Sequence, residues 1–275
     1  MDQLQNTFST SPIKWAGGKR WLISRYRDLL PHSYRRYIEP FFGGGSIFFA
    51  LKPTTAVISD ANTQLIGTYK AIRDTPTELY AKLAEHATKH STEYYYALRA
   101  EIPLEALDRA ARFLYLNRSC FNGLYRVNRQ GQFNVPKGDK TAILLPTDNF
   151  QSTSRHLANA EILSADFEHV LSRATAGDFV YVDPPYTVKH NNNGFLKYNQ
   201  HIFSWADQER LADAVRDAVS RGAQVAISNA AHESIHGLYA NFSQINEVER
   251  ASVIGGSLAS RGTTTEYLIQ AGYST

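Results

Sequence analysis

Short apolar runs that close on an acid or a polar turn alternate along this chain with longer stretches of helical spacing. The runs at residues 37–39, 56–60, 161–166, 178–183, 224–229 and 264–270 read as strands. Each is short, carries β-branched or aromatic residues and is flanked by breakers. Between the runs 178–183 and 224–229 lies a clear helix. Ser204 with Asp207 reads as a capping box with Asp in place of Glu, and Leu211, Val215, Ala218 and Val219 keep one helical face. Gly222 stands just past its end. Strands alternating with helices predict βαβ units and a mainly parallel sheet, an α/β fold.

Residues 64 to about 155 break that rhythm. Helical spacing recurs at residues 65–73, 76–88, 93–100 and 104–116, followed by a polar, Asn- and Gly-rich loop over 117–138. The organisation expected is one α/β domain from residues 1–63 and 156–275, interrupted by a mainly helical insertion, 64–155. Residues 191–194, Asn-Asn-Asn-Gly, read as a short polar loop.

At 275 residues, with 43% hydrophobic and 20% charged residues, the chain has the composition of a globular protein with a sizeable core. No apolar run approaches the roughly 20 residues of a membrane span, and the polar start lacks a secretory h-region. A cytoplasmic protein with no membrane partner is expected. The single cysteine, Cys120, excludes an internal disulfide and a Cys-rich zinc site, and the histidines show no HExxH spacing, so no metal is expected. The net charge of +3 is unevenly placed. Residues 11–36 hold seven basic residues against Asp28, and residues 112–140 hold six against Asp139. Two basic segments on a near-neutral chain are consistent with a polyanionic partner or with two solvated faces.

Three segments carry candidate chemistry. Asp183-Pro184-Pro185-Tyr186 follows the apolar run Phe179-Val180-Tyr181-Val182. Each proline fixes φ and lacks an N–H, so the tetrapeptide forms a stiff loop at the carboxyl end of a buried strand, where open α/β sheets bind ligands. One carboxylate, rigid carbonyls and a ring face suit a flat heterocycle bearing an amino group. Glu39-Pro40-Phe41-Phe42-Gly43-Gly44-Gly45-Ser46 is a glycine turn between a strand and an apolar helix. It lacks the Gly-Lys-Ser/Thr of a phosphate loop and the full dinucleotide spacing, which disfavours a NAD-dependent oxidoreductase. Asp60, at the end of the next strand, is placed either to accept ribose hydroxyls or to cap the following helix.

Together with Lys14-Trp15-Ala16-Gly17-Gly18-Lys19, these segments resemble the Dam-type DNA adenine-N6 methyltransferases, over nearly the whole chain and in family order. Phe113-Leu114-Tyr115-Leu116-Asn117-Arg118, Asn122-Gly123-Leu124-Tyr125-Arg126 and Gly131-Gln132-Phe133-Asn134-Val135-Pro136-Lys137-Gly138 are similar to the family's recognition signatures. The resemblance implies a Rossmann-like sheet that uses S-adenosylmethionine, releasing S-adenosylhomocysteine, with the helical insertion as target-recognition domain. It places Trp15, Lys19, Glu39, Pro40, Phe41, Gly43, Gly45, Asp60, Asp166, Phe167 and Asp183 at the cofactor. Asp183, Pro184, Pro185 and Tyr186 would form the catalytic clamp on a flipped-out adenine. Lys14, Arg118, Asn122, Leu124, Arg126 and Pro136 would face double-stranded DNA, with Arg126 reading a guanine. GATC is the implied site, and a monomer the implied state, with a dimer on DNA as the alternative. The segment 254–261 departs from better-known members. The competing activities are methylation of another amine, in RNA or at cytosine N4, and DNA binding without catalysis.

Overall fold

The computed structural model describes residues 11–128, 130–189, 203–251 and 263–273. The expected polar loop 191–194 and the divergent segment 254–261 lie outside the described residues. The helices are α1 (Arg20–Tyr26), α2 (Ser46–Leu51), α3 (Thr63–Asp74), α4 (Pro76–Thr88), α5 (Thr92–Ala100), α6 (Ala106–Ser119), α7 (Phe150–Leu157), α8 (Phe167–Leu171), α9 (Trp205–Ser220) and α10 (Glu233–Tyr239). The strands are β1 (Arg36–Glu39), β2 (Ala56–Ser59), β3 (Ala160–Leu163), β4 (Asp178–Val182), β5 (Gln224–Ala230), β6 (Ser243–Ala251) and β7 (Thr263–Ala271). The chain divides into two compact units. The first takes residues up to Arg20, Gly43–Thr54 and Asn62–Ser164; the second takes Trp21–Phe42, Thr55–Ala61 and the chain from Ala165 on.

In the second unit the strands run in the order β2-β1-β4-β5-β7-β6. β2, β1, β4 and β5 are parallel. β7 departs from the mainly parallel expectation: it enters antiparallel beside β5 and pairs antiparallel with β6. β4 is buried along its full length, as a strand covered on both faces requires. Its residues Phe179–Val182 share the core with Ile38, Ile58, Val225 and Ile227. At the amino end of β4, the carboxylate of Asp178 accepts from Arg35 at 3.0 Å and from Arg36 at 2.6 Å, anchoring β1 to β4. α9 starts on the expected capping box, with the Ser204 and Asp207 side chains each bonded to the other's backbone N–H.

The first unit is mainly helical. α3 begins where the Asn62 side chain accepts from the N–H groups of Gln64 and Leu65. α4 has Pro76 in its first turn, where the missing N–H costs nothing. α6 packs against both, presenting Leu114, Tyr115 and Leu116 to the interior. It runs on to Ser119, so Asn117 and Arg118, expected in the loop, are its last buried turn.

Candidate active site

Parallel strands put their carboxyl ends on one edge of the sheet. Ile38 of β1 pairs with Val180 of β4, and Glu39 with Ile58 of β2. Glu39, Asp60 and Asp183 therefore leave neighbouring strands at the same edge, although they are far apart in sequence. Glu39 is buried, and its carboxylate accepts from the Tyr37 hydroxyl at 2.8 Å, two residues back on the same face of β1. Burial and this carboxylate hold the Tyr37 phenol well above the usual range.

The segment after β4 is fixed from behind. The Tyr186 hydroxyl donates to Glu266 Oε2 at 2.8 Å, and the Thr187 hydroxyl to the Phe203 carbonyl at 2.7 Å. Gln208 donates to the Thr187 carbonyl at 3.3 Å, and Asn229 to Gln208 at 3.2 Å. Asp183, Pro185 and Tyr186 stay half-buried, while Pro184 is buried. Burial raises the Tyr186 phenol well above its usual range, and the neighbouring carboxylates of Asp183 and Glu266 push it the same way. The hydroxyl therefore remains a donor, with the ring left as a partly open face.

Next along the second unit, Phe41 stacks on Phe167 with centroids 5.4 Å apart, and Phe203 closes edge-on at 5.5 Å from Phe41. Asp166 caps α8 through the Glu168 N–H, and Arg210 grips both of its oxygens at 3.0 and 3.1 Å. The same guanidinium lies 4.4 Å from the Phe167 ring centroid. Phe203, Arg210, Gln208, Asn229 and Glu266 were not evident in the sequence. Only the Asp207–Arg210 spacing, one helical turn, carried a local signal.

In the first unit, Lys14, Asn122 and Leu124 come together. The Asn117 side chain accepts from the Lys14 N–H at 2.9 Å and donates to its carbonyl at 2.7 Å. Asn122 has φ 55°, unusual for a residue with a Cβ, and Gly123 follows at φ 66°. A Cβ on Gly123 would lie 2.9 Å from Lys14 Cδ, so only glycine lets the loop close on the lysine. Lys14, Trp15, Arg20, Asn122 and Leu124 line a cavity of about 440 Å³. Burial, with Lys140 and Arg118 nearby, holds the Lys14 ammonium below the usual lysine range. Pro136 is exposed, and its carbonyl accepts from the Phe121 N–H at 2.9 Å. Arg126 is exposed and donates from Nε to Asn134 Oδ1 at 2.8 Å, across a turn in which Val127 bridges Phe133.

Trp15 stacks on Tyr125 with centroids 5.5 Å apart. It also covers Gly43, where φ is 47° and an added Cβ would meet the indole at 2.7 Å. Lys19 is buried and donates to the Gly17 carbonyl at 3.1 Å. Arg118 differs from its expected role. Its side chain is fully buried and makes a bidentate pair with Asp148 at 2.6 and 2.7 Å. It also donates to the Pro12 and Ile143 carbonyls. A guanidinium with no exposed surface offers no contact to a duplex in this arrangement; it ties the amino-terminal segment to the far end of the insertion.

Residues 15–253 match the family described as D12 class N6 adenine-specific DNA methyltransferase. The chain is 39% identical to the type II methyltransferase M1.LlaDCHI of Lactococcus lactis subsp. cremoris, over 98% of each chain. It is 35% identical to the type II methyltransferase M.MjaIII of Methanocaldococcus jannaschii, over 84% of this chain and 88% of that one. It is 32% identical to the DNA adenine methylase of Vibrio cholerae serotype O1, over 93% and 94%. An acidic sheet edge with a Pro-Pro-Tyr loop, together with matches spanning almost the whole chain, places this protein in the D12 class of N6 adenine-specific DNA methyltransferases.

Proposed function

We propose that this enzyme transfers the methyl group of S-adenosylmethionine to N6 of an adenine flipped out of double-stranded DNA, within GATC. The observation that carries this reading is the convergence of Asp60, Glu39 and the Asp183–Tyr186 loop on one edge of the parallel strands.

That edge fits the cofactor chemically. Carboxylates suit a ligand with a sulfonium, an ammonium and ribose hydroxyls, and the Phe41–Phe167 pair supplies apolar surface for a purine ring. Asp60 would take the ribose, Asp166 and Phe167 the adenine, and Glu39, Pro40 and Phe41 the wall between them. The family resemblance also assigns Gly43, Gly45, Trp15 and Lys19 to the cofactor. When bound, the cofactor supplies an electrophilic methyl group.

The rest is done by side chains and carbonyls. An adenine amine is a poor nucleophile because its lone pair is conjugated with the ring, and in a duplex it is out of reach until the base is flipped. The Asp183 carboxylate and the Pro184 carbonyl accept from the two N–H bonds of the amine. That would draw the lone pair out of conjugation for attack on the methyl carbon, with the C–S bond breaking to release S-adenosylhomocysteine and one N6 proton passing to solvent. Because Pro184 and Pro185 fix the backbone, the acceptors are preorganised, an electrostatic and proximity effect. Tyr186 stacks on the extruded ring. No enzyme nucleophile is required, and Cys120 is buried, its thiol pushed up to about 11 by burial.

The recognition side is carried by Lys14, Asn122, Leu124, Arg126 and Pro136, with Arg126 giving a bidentate contact to guanine. GATC rests on the resemblance of residues 113–138 to the Dam-type signatures. The type II names of two relatives support a role as the modification partner of a restriction enzyme.

The experiment is incubation of GATC-containing duplex with S-adenosylmethionine labelled in the methyl group, followed by nucleoside analysis. Label in N6-methyladenine is expected. Label in N4-methylcytosine, or only in added RNA, would overturn the reading.

A further inference from the structure

Tyr186 is tied by its hydroxyl to a carboxylate 80 residues further along the chain. Glu266 lies on β7, opposite Ala230 of β5 and Val248 of β6. β4 and β5 run parallel and β7 runs against them, so the first half of β7 reaches the edge where β4 ends. The Glu266 side chain is 3% exposed. A carboxylate so removed from water must be compensated. Oε2 accepts from the Tyr186 hydroxyl at 2.8 Å, and Oε1 lies 2.7 Å from Nε of Arg250 on β6. The Arg250 contact is close but off-axis for a hydrogen bond, so it acts as a charge contact against Glu266.

A tyrosine side chain has two free torsions, and stacking alone leaves its ring plane free to rock. A hydrogen bond from the ring tip to a fixed carboxylate removes that freedom. Phenylalanine could stack on a base equally well but could not be fixed this way. The loop before Tyr186 is stiffened by Pro184 and Pro185, so the ring is held at both ends.

We propose that Glu266, held between Arg250 and the Tyr186 hydroxyl, is a positioning residue that sets the plane of the Tyr186 ring for the amine-bearing base. This rests on the adenine-methylation reading above. Glu266 touches neither substrate nor cofactor in this role; it acts through the Tyr186 hydroxyl.

The test is single-turnover methylation of duplex DNA by the full chain, as wild type, Tyr186→Phe, Glu266→Gln and the double variant. Each single variant is expected to lower the methyl-transfer rate about tenfold, the effect of one hydrogen bond to a charged group. KM for S-adenosylmethionine should be unchanged, and the double variant no slower than the slower single. Single variants that react at the wild-type rate overturn the proposal. So do losses that multiply in the double variant, because they would mean that Glu266 supports the fold independently of the hydroxyl. If Glu266→Gln does not fold, Tyr186→Phe still decides, since it leaves the Arg250–Glu266 pair intact. A wild-type chain that methylates no adenine sinks the functional reading and this proposal with it. An active wild type with indifferent variants sinks this proposal alone.

Discussion

The Asn117 carboxamide spans the main chain of Lys14, accepting from its N–H and donating to its carbonyl across 103 positions of sequence. A buried amide that satisfies a backbone segment in both directions fixes its path. It places Lys14 beside the Asn122–Leu124 turn. Asn117→Ala should therefore weaken discrimination at the base pairs that Lys14 is proposed to face, with the affinity for S-adenosylmethionine unchanged. Comparing methylation of cognate and single-substituted duplexes measures this; equal losses on both would contradict it.

Arg126 reaches outward from the turn while Asn134 holds its Nε. Replacing it with alanine should remove about 1–3 kcal/mol of discrimination at one base pair and relax specificity there. An unchanged sequence preference in a methylation assay over a randomised site would remove Arg126 from the reading role.

Asp183→Ala should abolish methyl transfer while leaving DNA binding largely intact, since the residue is proposed to act on the amine and the cofactor and not on the duplex. Binding is read by gel shift and transfer by methyl incorporation. Full incorporation would contradict the clamp.

The Arg118–Asp148 pair is buried on both sides, at 0% and 4% side-chain exposure. Asp148→Ala leaves a desolvated guanidinium without its partner and should cost about 3–5 kcal/mol of stability. The measurement is denaturant unfolding; a change below about 1 kcal/mol would contradict a structural role, because that is the range of exposed pairs.

Asp178 gives a pH dependence with a definite sign. Burial disfavours its charged form, but the bonds from Arg36 and the Thr175 N–H, with Arg35 nearby, outweigh this and hold the carboxyl below the usual aspartate range. A depressed carboxyl pKa stabilises the fold above its unfolded value, about 3.9, and that stability is lost as pH falls through the folded value. Asp178→Asn should therefore lower stability at neutral pH and flatten the acid limb of the stability curve. An acid limb identical to wild type would contradict this.

The strands that build the site were legible because each ends in a feature with its own chemistry: Glu39 before the glycines, Asp60, and the two prolines after Asp183. Their arrival at one edge follows from parallel pairing, which the alternation with helices implies. β6 was not legible, because Gln244, Glu247 and Glu249 are exposed and interrupt its apolar pattern. The antiparallel entry of β7 is set by pairing with β5 and β6, and nothing local encodes it. Asn117 and Arg118 read as the start of a polar loop, yet they close α6, because their partners lie 103 and 30 residues away. Glu266 and Arg210 escaped for the same reason: a carboxylate or guanidinium in a polar stretch shows its role only once folding has supplied Tyr186 or Asp166.

The most direct test of the central claim is single-molecule sequencing of DNA from a methylation-free host that expresses the chain. N6-methyladenine at GATC on both strands is expected, and it should vanish with Asp183→Ala. No modified adenine anywhere, with the folded protein present in the cells, would contradict the account, as would modification confined to cytosine.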